Sequence, residues 1–263
     1  MIMEIFKKRT LVMVLVAFTL TTSCKKTVTV ETAEEELTIP PEESTEPVSL
    51  LPVKIATDQS EMRFSYKGKL LTKIEYGSDS SRVLSLNLKN QPYTMELVKG
   101  KTIVRYSEYA VDANNLVVKI LHFKGEPDNE YIGYTTLLYD IKQRLTSIKK
   151  FDLKNKLLNE NLRTYDSSGN LLTETSTSPG QTITNTYDTK NAIFKQLQYN
   201  DLFSIDTNNK LFASFANNIK SSTGYLKATE NASYNYVYNK QDYPSKMDIV
   251  INKVKTAYAV TYE

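Results

Sequence analysis

The sequence predicts an all-β protein, an antiparallel meander of repeated β-hairpins forming a twisted, curved open sheet. Three observations carry that expectation. A turn phrase built on Tyr-Asp recurs along the second half of the chain. Side chains alternate between faces in SYNYVY and AYAVTYE, which puts Tyr234, Tyr236 and Tyr238 on one strand face and Tyr258, Val260 and Tyr262 on another. Tyrosine is abundant, 18 of 263 residues with no tryptophan, and with threonine it suits a half-buried pleated surface.

From the N-terminus, Lys7, Lys8 and Arg9 precede the apolar run LVMVLVAFTL, Leu11 to Leu20, which closes in the small polar residues TTSC. Charge, short apolar core and small-residue exit in that order describe a secretory signal peptide over residues 1–23. The run is about half of the roughly 20 residues a bilayer-spanning helix needs. Cys24, the only cysteine, stands where cleavage is expected and cannot form an intramolecular disulfide. This start resembles that of bacterial lipoproteins, although Thr21 stands where the family usually has leucine. The resemblance implies lipidation of Cys24, a membrane as partner through that lipid, and, with Lys25 following, an outer-membrane address in the cell envelope with the face undecided. Several acyl chains would hold firmly where one binds marginally.

Residues 24–50 read as a tether. Thr27 to Leu50 holds seven glutamates, three prolines and no lysine or arginine, so it buries too little apolar surface to offset the entropy of ordering. Its glutamate run is expected to be solvated. The tether also masks the charge of the rest. The whole chain has 33 basic and 30 acidic residues. Setting aside three bases and one acid before Cys24, then Lys25, Lys26 and the seven tether glutamates, leaves 28 basic and 22 acidic residues. The domain, 51–263, is thus mildly basic without a concentrated Lys/Arg block, which argues against nucleic acid as a partner and suits weak attraction to anionic glycans or headgroups. One domain and a monomer are expected.

Within the domain the phrase runs aromatic or aliphatic residue, Asp or Asn, polar positions, then Leu, Ile or Pro opening another alternating run. It occurs as YKGKL (Tyr66–Leu70), VDANNL (Val111–Leu116), YDIKQRL (Tyr139–Leu145), YDSSGNL (Tyr165–Leu171), YDTKNAI (Tyr187–Ile193), IDTNNKL (Ile205–Leu211) and YNKQDYP (Tyr238–Pro244). Asp or Asn can bond the backbone two residues on, and a later Gly or Asn tolerates the left-handed conformation that closes a loop. Self-similarity at this spacing marks a repeat architecture. A short helix is expected only near 208–219 (NNKLFASFANNI). RTYDSSGNLL, Arg163 to Leu172, resembles the YD repeat of RHS-type proteins, Tyr-Asp-x-x-Gly-x-Leu, and with the lipoprotein start the chain looks like YD-like lipoproteins of Bacteroidetes, many of unknown function. The RHS proteins wind dozens of repeats into a shell; this chain is too short for that, so a curved sheet of hairpins is implied.

Catalytic chemistry is poorly supplied. There is no GxSxG elbow, and His122, the only histidine, sits between apolar neighbours in VVKILHF as a strand residue without a catalytic role. Ser147 and Lys150 have an SxxK spacing, but on a strand an odd offset sends them to opposite faces. Zinc lacks ligands. Asp112, Asn114 and Asn115, or Asp206, Asn208 and Asn209, imitate part of a calcium loop, but hairpin turns explain them equally, and neither a metal nor a cofactor is expected. The function expected is a non-catalytic, lipid-anchored binding or scaffolding module with a glycan or envelope protein as partner, Tyr234, Tyr236 and Tyr238 being candidate ligand-binding residues. The alternative is a tethered glycan hydrolase, or glycan-binding accessory protein, using surface carboxylates and tyrosines.

Overall fold

The computed structural model describes residues 50–207, 210–213 and 215–263, so the expected signal peptide, Cys24 and nearly all of the tether lie outside the described residues. The unit Pro47–Glu263 carries sixteen strands. They are β1 (Pro52–Ala56), β2 (Glu61–Lys67), β3 (Leu70–Tyr76), β4 (Ser80–Leu86), β5 (Pro92–Lys99), β6 (Thr102–Val111), β7 (Val117–Lys124), β8 (Tyr131–Tyr139), β9 (Leu145–Asp152), β10 (Leu157–Tyr165), β11 (Leu171–Ser176), β12 (Gln181–Asn191), β13 (Asn217–Thr223), β14 (Ala232–Tyr238), β15 (Pro244–Ile251) and β16 (Val254–Tyr262). Each pairs antiparallel with its neighbours in chain order, as the hairpin reading expects.

The sheet is not open. β1 pairs with β16, Ile55 opposite Val260 and Ala56 opposite Ala259, and Leu51 and Glu263 exchange backbone hydrogen bonds of 3.2 and 3.0 Å beyond them, so the meander is a closed barrel. Each strand is twisted relative to the last, and a meander this long curls until its two edges meet and satisfy one another.

The turn phrase has a consistent geometry. Oδ1 of Asp140 accepts from the backbone N–H groups of Lys142 and Arg144 at 2.9 Å each, and Asp112 does the same with Asn114 and Leu116. Asp166 accepts from Asn170, and Asn239 from Gln241 and Tyr243. The third residue after the Asx is left-handed in every case: Asn115, Gln143, Gly169 and Asp242 have φ of 65°, 60°, 92° and 62°. Two further copies, at Asn87 with Asn90 and at Asp152 with Asn155, fit the same phrase but were missed from sequence.

The tyrosine before the Asx has its own task. Its hydroxyl donates to the carbonyl at the start of the preceding strand: Tyr139 to Val117 at 2.8 Å, Tyr165 to Leu145 at 2.7 Å, Tyr187 to Leu171 at 2.6 Å. Tyr66 and Tyr262, at equivalent strand ends, bond Pro52 and Pro244. The ring is thereby packed inward while its hydroxyl satisfies a carbonyl at the barrel rim. Burial pushes the Tyr165 hydroxyl up to about 12, with the Asp201 carboxylate adding to it. Tyr165→Phe should therefore cost about 1 kcal/mol, the net worth of one such bond; urea unfolding with an unchanged midpoint would deny the clamp any energetic role.

Two copies do not make hairpins. After Tyr187, β12 runs on to Asn191 and the chain turns into the barrel, returning at β13. Asp188 here accepts from the N–H groups of Lys190 and Asn218, and from the Tyr238 hydroxyl. In the IDTNNKL copy, Ile205 and Asp206 belong to helix α1 (Asn200–Thr207), followed by a 3-10 turn at Lys210–Phe212. The helix expected near 208–219 thus lies earlier, and Asn217–Ile219 is strand. The reason is the burial pattern: Leu202, Phe203, Phe212 and Ala213 are all buried, so the segment is shaped by the barrel's interior rather than by turn residues.

That inserted segment, residues 192–216, forms the core. Phe194 and Phe212 lie 5.1 Å apart, Phe64 meets Phe194 edge-on at 5.4 Å, and Phe203 lies 6.3 Å from Phe212. Around them pack inward wall residues from many strands, among them Ile55, Leu71, Ile74, Leu84, Met95, Ile120 and Leu137. Asn170, 2% exposed, latches the returning chain: its Oδ1 accepts from the N–H groups of Ala216 and Asn217 at 3.0 and 2.9 Å.

The outer face is the polar one. Thr182, Thr184 and Thr186 are exposed between inward Ile183, Asn185 and Tyr187. Lys149 pairs with Glu160 and Lys255 with Asp248 across neighbouring outward positions. Exposed Leu138, Leu158 and Leu162 on β8 and β10 interrupt this pattern.

Candidate functional site

Successive turns fall at alternate ends of the barrel. The end that carries the β4–β5, β6–β7, β8–β9, β10–β11 and β14–β15 Asx turns is also the end at which the inserted segment enters and leaves. The segment's phenylalanines fill that half. Toward the other end, the mouth, the wall and the insert leave two adjoining cavities, of about 660 and 550 Å³. Asn159, Asn161 and Glu174 line both, so the two form one chamber divided by a polar ridge.

The larger side is mostly apolar. Ile183, Phe194, Phe215, Tyr234, Met247 and Ile249 line it, with Ile251 at the mouth. Of the three tyrosines singled out from sequence, Tyr234 and Tyr236 face this cavity, while Tyr238 is bound to Asp188 at the far end. The Tyr236 hydroxyl donates to the carbonyl of Ile219 at 2.8 Å. It bridges the seam where β13 and β14 pair only through Ser221–Ser233 and Ser222–Ala232.

The smaller side is polar and carries an excess of positive charge. Arg82, Arg105, Lys150 and Arg163 line it against Glu174 and Asp206. Two of the arginines tie down α1. Arg163 on β10, 8% exposed, donates from Nε to Glu174 at 2.8 Å and from Nη1 to Asp201, in the first turn of the helix, at 3.1 Å. Burial works against its charge, and the two carboxylates outweigh that and hold its pKa above the usual value. At the helix's other end Arg82 on β4 pairs with Asp206. Arg105 and Lys150 are exposed to the chamber and take part in none of the ion pairs among the described residues.

Between those two cations stands His122. Its Nδ1 lies 3.1 Å from the Ser107 hydroxyl and its Nε2 2.8 Å from that of Thr135. Burial, reinforced by Lys150 and Arg105 and opposed by Asp206, pushes its pKa down to about 4, so the ring is neutral at pH 7. Gly133 beside it has φ of 136°, and a Cβ there would lie 2.3 Å from the carbonyl oxygen of Phe151, so no side chain fits at that point of the wall.

The other sequence candidates separate. Ser147 bonds Glu160 at 3.0 Å while Lys150 faces the chamber. Asp112, Asn114 and Asn115 form a hairpin turn, Asp206 is held by Arg82, and Asn208 and Asn209 lie outside the described residues. Among the described residues no group of three or more His, Cys, Asp or Glu could hold a metal. Arg105, Asn159, Asn161, Arg163 and Glu174 were missed from sequence. The signal was present in LLNENLRTY: Asn159, Asn161 and Arg163 share the strand face of Tyr165, a core position, while Leu158 and Leu162 take the opposite face.

A barrel wall, a stopper made of the protein's own chain, and a solvent-reachable chamber above it define a plugged antiparallel β-barrel. No protein-family model matches the chain, and no curated protein matches it. Among solved structures, the chain is similar to a porin-like protein from Bacteroides uniformis, with a TM-score of 0.58, 12% identity, and coverage of 81% of this chain and 95% of that one. A porin-like protein from Bacteroides vulgatus aligns with a TM-score of 0.41 at 10% identity, covering 81% and 99%. A TcdB2-TccC3-Cdc42 complex aligns with a TM-score of 0.32 at 12% identity, over 76% of this chain and 10% of that one. The first shows a shared barrel fold; the other two carry no argument.

Proposed function

We propose that this protein is a lipid-anchored barrel of the bacterial cell envelope that sits beside the membrane and captures a small ligand in its chamber without transforming it. One observation carries this: the barrel's own chain fills one half of the interior while the other half is left as a chamber. A barrel that spans a membrane needs an outward apolar band about 25 Å tall, and here threonines and ion-paired lysines, Lys149 with Glu160 and Lys255 with Asp248, stand among the outward residues beside exposed Leu138, Leu158 and Leu162. The porin-like description of the Bacteroides uniformis structure supports an envelope setting, and the expected signal peptide over residues 1–23, with Cys24 directly after it, supports the anchor. A non-catalytic role fits the chamber carboxylates, since Glu174 and Asp206 are each engaged by an arginine.

Cell fractionation tests this directly. The wild-type protein should sediment with membranes and be released by detergent, and Cys24→Ser should appear in the soluble fraction. A Cys24→Ser protein that stays in the membrane would mean that the barrel wall itself is inserted, and the proposal would fall.

A further inference from the structure

We propose that the chamber takes an amphiphilic anion, a molecule with an apolar body and a single acidic head, the body lying in the apolar cavity and the head between Arg105 and Lys150. This rests on the capture function proposed above and names its ligand class. Three features point to it.

First, the two sides of the chamber differ in kind yet share Asn159, Asn161 and Glu174 as lining, so one molecule can lie across the ridge. Each side falls within the roughly 300–1,000 Å³ of a small-molecule site. Ile183, Phe215, Ile249 and Ile251 on the larger side offer dispersion and desolvation but few directional partners.

Second, the charge of the smaller side is unequally spent. Arg82 and Arg163 are consumed in holding α1, through Asp206 and through Asp201 and Glu174. Arg105 and Lys150 enter no ion pair among the described residues, although they line the same space. Two such cations facing one cavity repel each other, and a bound anion relieves that repulsion.

Third, the groups between them are neutral donors and acceptors. Ser107, His122 and Thr135 form a bonded row, and the ring at its centre stays uncharged because burial and the two cations disfavour its protonation. The chamber wall is therefore positive at its flanks and neutral in the middle, a pattern suited to a compact carboxylate or sulfonate.

Calorimetry with the purified full chain, using laurate, dodecanol and dodecyltrimethylammonium as probes below their aggregation concentrations, tests the proposal. Laurate should bind at least about tenfold more tightly than dodecanol, as one charge-assisted contact provides, and the cationic probe least. Arg105→Gln with Lys150→Gln, both at exposed positions, should remove the preference for laurate while leaving dodecanol within about twofold. Ile251→Gln at the apolar mouth should weaken laurate and dodecanol alike, and circular dichroism confirms that each variant folds. Equal binding of laurate and dodecanol, or an unchanged preference in the double variant, overturns the anionic assignment but leaves capture standing. Absence of binding by all three probes to the folded wild type overturns the assignment and removes the support for capture of an amphiphile.

Discussion

Phe203→Ala should lower the free energy of unfolding by about 4 kcal/mol, the middle of the usual range for a fully buried aromatic. Phe203 is 0% exposed. Its ring packs on Phe212 within the insert, and both belong to the cluster that joins the insert to the wall residues of β1 through β9. Truncating it removes a contact on which both wall and stopper depend, and neighbouring strands held by backbone ladders can collapse only slightly into the space. Chemical denaturation monitored by tyrosine fluorescence gives the number. A loss below about 1 kcal/mol would mean that the barrel stands without its stopper, and that the insert is an occupant rather than the core.

Arg163→Met should cost about 3 kcal/mol for a different reason. The guanidinium is 6% exposed in its side chain and serves both Glu174, 13% exposed, and Asp201. Methionine keeps much of the volume but leaves the Glu174 carboxylate without its guanidinium, and removing one partner of a buried pair is far more harmful than removing both. The double variant Arg163→Met, Glu174→Gln should therefore recover a measurable part of the loss, and the cycle isolates the coupling. No recovery would assign the cost to the helix tether through Asp201 alone.

Much of the wall was legible in the sequence because hairpins are local. Asp at the turn, a left-handed Asn or Gly three residues on, and tyrosine one residue before are decided within a few positions, so YDIKQRL and YDSSGNL fold as their residues dictate. The turns at Asn87 and Asp152, which begin from Leu86 and Phe151, form without the tyrosine and show that the Asx and the left-handed residue suffice. The closed barrel was not legible, because closure depends on the number and twist of all the strands and on the pairing of Ile55 with Val260, residues at opposite ends of the domain. The insert misled for a related reason. YDTKNAI and IDTNNKL have turn composition, but the first carries the chain into the barrel at Ala192 and the second is held as helix by Phe203 and Asp206, whose partners lie on the distant strands. Tyr234 and Tyr236 were found by alternation, whereas Arg105 and Lys150 meet only because β6 and β9 curve around one space.

The pairing of β1 with β16 also makes closure the most non-local step in folding. Pro52–Ala56 and Val254–Tyr262 lie at opposite ends of the sheet's chain order, so both edges stay unpaired until these two strands find each other. Until that pairing forms, both margins are open to strand exchange with a neighbouring chain. Loss of β16 alone would leave a protein with nearly all its side chains in place and two adhesive margins.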